Sequence, residues 1–161
     1  MAVNCVYLTL KTHWPLMEQG KIRIIIVDDH KIIRQTWKLI LQQDRRFDII
    51  AECSNGAEAI KATESMESDI ILMDINMHPV NGFEATKKIM KQKPSTKIIG
   101  ISVNNQPSYA RNMLHLGAKG FVTKDSTKEE MVEAILTVYN GGKFLSEDVR
   151  RYLHDDEKNR G

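Results

Sequence analysis

From residue 21 onward, apolar positions alternate between two kinds of pattern. "IRIIIV" (22–27) is a continuous β-branched run that stops at Asp28-Asp29. After it, Ile33, Trp37, Ile40 and Leu41 recur at helical spacing, which predicts an amphipathic helix over about 30–43. "FDIIAEC" (47–53) reads as a second strand, and Asn55 with Glu58 three residues on opens a second helix. "DIILMD" (69–74) is the third strand, followed by a loop and a helix over "FEATKKIMKQ" (83–92). "KIIGIS" (97–102) is the fourth strand. Pro107 then starts a helix that runs to about Leu116, with Gly117 as its stop. "GFVTK" (120–124) is a short fifth strand, and a capping box of Ser126 and Glu129 opens a last helix that ends at Gly141-Gly142.

Strands that are apolar throughout, rather than alternating, are buried on both faces. Five of them interleaved with five helices predict an α/β fold, a parallel sheet with helices on both sides. Composition leaves this picture unchanged: 161 residues, 42% hydrophobic, 27% charged and net +2 describe one globular domain. That charge balance argues against nucleic acid or a membrane surface as a partner of this chain. No segment nears the roughly 18 apolar residues of a membrane span. Cys5 and Cys53 are too few for a disulfide framework or zinc site and read as free thiols of a cytoplasmic protein. Residues 1–20 read as an extension without an assigned role.

In an open parallel sheet, ligands bind beyond the carboxyl ends of the strands. Those ends carry Asp28 and Asp29, Asp74, Ser102 and Lys124, whereas the second strand offers only Cys53-Ser54. Singly, each has a plain explanation: Asp29 as a helix cap, Ser102 and Lys124 as solvated surface. Together they put three carboxylates, a hydroxyl and an ammonium on one edge. Crowded carboxylates call for a cation, and hard oxygen ligands suit Mg2+, which also takes phosphate oxygens. The set therefore reads as a phosphoryl-transfer site in which one ionised carboxylate attacks.

The motifs "IIIVDDHKIIR", "AECSNGAEAI", "IILMDINM…NG", "IIGIS" and "GAKGFVTKDSTKEEMVEAI…GGKFLS" resemble the receiver domain of two-component response regulators of the NarL/FixJ (LuxR-type) group. The resemblance implies a flavodoxin-like (CheY-like) five-stranded sheet of order 2-1-3-4-5. It implies a signalling receiver rather than an enzyme, with Asp74 as phosphoacceptor from a sensor histidine kinase. Asp28, Asp29, Asp74 and the backbone carbonyl of Asn76 would hold Mg2+, and Ser102 and Lys124 would bind the phosphoryl oxygens. Ser102 and Phe121 would form the switch, with plain core packing as the alternative for Phe121. The face of the fourth helix, fifth strand and fifth helix would change shape and support a homodimer.

By the same resemblance, residues 21–145 form the receiver, and 146–161 begin a linker to a transcriptional output domain absent from this chain; the alternative is a single-domain regulator. DNA binding would belong to a helix-turn-helix in that domain. The chain departs from the family at His78, where a proline is usual, with Pro79 one position later. No proline follows Lys124, so a cis bond there is not expected. Two rivals are a haloacid-dehalogenase-type phosphatase, which needs an Asp where Asn76 stands, and a receiver-like module that binds partners without phosphorylation.

Overall fold

The computed structural model describes residues 20–103 and 106–160. The reading of residues 1–20 as an extension falls, Gly20 aside, outside the described residues. Six strands form one sheet: β1 (Ile22–Val27), β2 (Phe47–Cys53), β3 (Ile70–Asp74), β4 (Lys97–Ser102), β5 (Gly120–Thr123) and β6 (Phe144–Leu145). Their order is β2-β1-β3-β4-β5-β6, and every pairing is parallel. The helices are α1 (Lys31–Gln42), α2 (Gly56–Ser65), α3 (Gly82–Gln92), α4 (Pro107–His115), α5 (Lys128–Tyr139) and α6 (Glu147–Arg160).

The period-2 geometry of strands sorts the core into two layers. Ile25, Val27, Ile71 and Met73 face the α2, α3 and α4 side, packing with Ala59, Ala85, Ile89 and Met113. Ile24, Ile26, Ile70 and Leu72 face the α1 and α5 side, packing with Trp37, Leu41, Met131 and Ile135. All five residues of β3 are buried, as a central parallel strand requires. Its register with β1 and β4 therefore sets where Asp74 emerges.

Side-chain caps start α2, α3 and α5. Asn55 Oδ1 accepts from Glu58 N at 3.0 Å, while the Glu58 carboxylate turns to Ser54 N and Oγ. Asn81 and Glu84 form a reciprocal capping box at α3. For α5 the expected Ser126–Glu129 box is corrected: the cap is Thr127, whose Oγ1 accepts from Glu130 N at 3.1 Å. Ser126 is held in a turn by its N–H to Thr123 O, so the helix starts one residue later. Gly82 lets α3 begin against the loop after β3, because a Cβ there would lie 2.2 Å from Asp74 O. The only cis peptide among the described residues is His78–Pro79, in that same loop, and none follows Lys124.

The expected five-stranded sheet is corrected as well, because residues 144–160 are structured. Phe144 and Leu145 add a strand beside β5, tied by Phe144 N to Lys119 O and Ser146 N to Phe121 O. On α6, Val149 is fully buried, Leu153 packs on the same apolar cluster as Phe121, and Asp156 pairs with Arg111 of α4. Two apolar residues four apart make one seam, which is too little to signal a helix in a polar sequence but enough once a core is present.

Candidate functional site

β1, β3 and β5 deliver their terminal residues to one edge of the sheet. Asp28 (4% exposed) and Asp74 (1% exposed) lie side by side because β1 and β3 are paired neighbours in register, Val27 opposite Met73. Lys124 follows β5, and its N–H donates to Ser102 O at 2.9 Å, which fastens its backbone to the end of β4. Its buried side chain reaches across to Asp28 Oδ2 at 3.0 Å and Asp74 Oδ2 at 3.1 Å.

Electrostatics at this edge follow from burial. Desolvation pushes the Asp74 carboxyl up to about 6, with repulsion from Asp28 adding and the Lys124 ammonium opposing. Burial acts to lower the Lys124 pKa, yet the bonds to Asp28 and Asp74 outweigh it and the net shift is upward. Asn76 is exposed, and its N–H donates to Asp74 Oδ1 at 3.3 Å.

Asp29 is more open, with 35% of its side chain exposed. His30 lies 3.0 Å from Asp29 Oδ1 and 3.3 Å from Asp28 Oδ1 through Nδ1, and its backbone N–H donates to Asp28 Oδ1 at 2.8 Å. Ligand atoms of Asp28, Asp29, His30 and Asp74 all fall within 4.8 Å of one another. Two buried carboxylates that one ammonium only partly neutralises, beside a third open to solvent, form a donor set of hard oxygens fit for a divalent cation.

Of the residues read from sequence, Asp28, Asp29, Asp74 and Lys124 converge. The Asn76 backbone joins them, and Ser102, fully buried, is one strand away with its carbonyl bonded to Lys124. Phe121 does not reach the edge. It is fully buried beneath α4, where a Cβ on Gly100 would lie 3.1 Å from its ring and 3.0 Å from Met113.

The sequence pattern alone does not single out His30 and Arg34. The first directly follows the acidic pair and was legible as part of "DDH". The second lies a helical turn farther on, and nothing in the linear pattern marks where its long side chain goes. Arg34 Nη1 donates to the backbone oxygen of Asp28 at 2.6 Å.

Comparison with known proteins agrees with this geometry. Residues 24–136 match the model of the response regulator receiver domain. The chain belongs to this family. It is 33% identical over 150 residues to the transcriptional regulatory protein DegU of Brevibacillus brevis, covering 88% of this chain and 64% of that protein. It is 35% identical over 137 residues to the transcriptional regulatory protein LnrK of Bacillus subtilis, covering 85% and 62%. The chain thus spans less than two thirds of the length of these relatives.

Among solved structures, a LuxR-family two-component response regulator from Aurantimonas superposes with a TM-score of 0.83 at 27% identity, covering 86% of this chain and 99% of the other. The isolated receiver domain of RcsB from Salmonella enterica, solved with the phosphomimetic BeF3-, gives 0.76 at 26% identity, covering 83% and 99%. This chain is therefore the receiver domain of a two-component response regulator. Among the described residues, no helix is long and apolar enough to cross a membrane.

Proposed function

We propose that Asp74 is the phosphoacceptor and that Mg2+, held by Asp28, Asp29, Asp74 and the Asn76 carbonyl, is required for the transfer. The observation that carries this reading is Lys124 Nζ bridging the buried carboxylates of Asp28 and Asp74 beside the open carboxylate of Asp29. An Asp74 oxygen attacks phosphorus as the P–N bond of a phosphohistidine on the sensor kinase breaks, and the imidazole leaves with that electron pair. Lys124 moves from the Asp74 carboxylate to the new phosphoryl oxygens, and the Ser102 hydroxyl donates to another. When bound, Mg2+ neutralises charge on the transferring group. The test is uptake of one phosphoryl group from acetyl phosphate with Mg2+, read by mass spectrometry in the chain and in Asp74→Asn.

The added group brings up to about two negative charges at pH 7. Ser102 is drawn toward it, and the change passes along β4 and β5 to Phe121 and the α4 side. A homodimer through α4, β5 and α5 has to reckon with this chain's own α6, which packs against α4 and the Phe121 cluster. The responsive surface accordingly includes β6 and α6. Beryllofluoride with Mg2+ is expected to shift backbone amide resonances of α4, β5, β6 and α6 as well as those of the acid site. Shifts confined to the acid site would refute this route of switching.

The two regulators named above are transcriptional, which supports a transcriptional output for a longer protein built on this receiver. In that reading, DNA binding belongs to a helix-turn-helix domain following residues 146–161, and the protein works in the cytoplasm.

A further inference from the structure

Three anchors could orient the β1–α1 loop, which carries Asp28 and Asp29. Asp28's carboxylate is held by Lys124 and by His30 N–H. Asp29's carboxylate is the least restrained, facing solvent and the exposed ring of His30. The third anchor acts on the peptide that joins them: Arg34 Nη1 donates to Asp28 O at 2.6 Å. That carbonyl and the Asp29 N–H share one planar unit, so fixing the oxygen fixes the direction in which Asp29 leaves the backbone.

Arg34 is itself built in. Its side chain is only 14% exposed, and its Nε is buried, facing Glu52 Oε1 of β2 at 3.6 Å. Lys38, one turn along α1, holds the other oxygen, Glu52 Oε2, at 2.5 Å. The planar guanidinium thus lies between the β1–α1 loop and β2, with Nη1 bonded to Asp28 O and Nε 3.6 Å from Glu52 Oε1 without a hydrogen bond, a geometry that a lysine's single ammonium cannot reproduce.

We propose that Arg34 is a positioning residue of the acid site, whose fork between Asp28 O and Glu52 sets the affinity for a divalent cation without touching the cation. This inference rests on the cation reading above. A purely electrostatic role predicts the opposite sign, because removing a positive charge near three carboxylates would tighten cation binding.

The two are separated by titrating Mg2+ into the full chain and following backbone amide shifts of the acid site, with metal-free melting recorded separately. Arg34→Gln and Arg34→Lys are both expected to weaken Mg2+ binding, about tenfold for Gln, in the range typical of lost outer-shell contacts. Glu52→Gln, which leaves Arg34 in place but loosens its far arm, is expected to weaken binding less. Wild-type affinity in Arg34→Lys, or tighter binding in Arg34→Gln, would overturn the proposal. If Arg34→Gln does not fold, Arg34→Lys decides. Absence of any Mg2+ response in the unmutated chain would instead overturn the cation reading beneath it.

Discussion

Asp74→Asn is expected to take up no phosphoryl group from acetyl phosphate and, without metal, to be more stable than the parent chain. The first effect follows from the nucleophile: an amide oxygen carries no ionised charge with which to attack phosphorus. The second follows from burial. Desolvation holds the Asp74 carboxyl up at about 6, so ionising it at neutral pH opposes folding. Between the unfolded carboxylate range and about 6 the folded chain binds the extra proton. Stability therefore falls as pH rises through that window, and the penalty is complete above it. The substitution removes the penalty, while Lys124 keeps Asp28 as a partner. A gain of about 1–2 kcal/mol at pH 7.5 is expected, by urea unfolding in EDTA, with a flatter pH dependence than the parent. A mass gain in the mutant equal to that of the parent would sink the assignment of Asp74.

Lys124→Met is expected to cost about 3 kcal/mol at neutral pH in the absence of metal, since breaking a buried ion pair strands the remaining charge. Here it strands two, on Asp28 and Asp74, both almost wholly buried. Their mutual repulsion adds to the desolvation that already raises Asp74. The loss should shrink as pH falls, because protonating one carboxylate relieves both terms. Mg2+ should also restore part of it by replacing the missing positive charge. Unfolding midpoints at pH 5 and pH 8, with EDTA or with Mg2+, check both directions. A loss equal under all four conditions would mean that Lys124 contributes packing alone.

These expectations rest on an arrangement that is partly legible in the amino-acid sequence. A sheet whose strands are covered on both faces must be written as continuous apolar runs, so "IRIIIV", "IILMD" and "KIIGIS" declare themselves. A parallel sheet sends all its carboxyl ends to one edge, which is why Asp28, Asp74, Ser102 and Lys124 could be grouped from their strand-end positions. The grouping says nothing of contacts. That Lys124 bonds both Asp28 and Asp74, leaving Asp29 to its neighbour His30, depends on a side chain crossing from the end of β5 to the ends of β1 and β3.

Linear patterns were weakest where the stabilising partner lies elsewhere in the fold. β6 is only Phe144–Leu145, a strand by virtue of the β5 edge it completes. α6 carries few apolar residues, and Val149 and Leu153 gain meaning from the cluster around Phe121 that receives them. Ser126 and Thr127 are equally able caps, and the turn at Thr123 chooses between them. Arg34 looks like any surface arginine of an amphipathic helix until β1 and β2 place a carbonyl and a carboxylate within its reach.

Residue chemistry and periodicity thus account for β1 to β5, α1 to α5 and the acidic edge, because each depends on local spacing or on burial common to a whole strand. The ion pairing of Lys124, the seat of α6 and the fork of Arg34 belong to the tertiary structure. Each is a set of contacts between groups on different elements, and its energy exists only after the chain has folded around it.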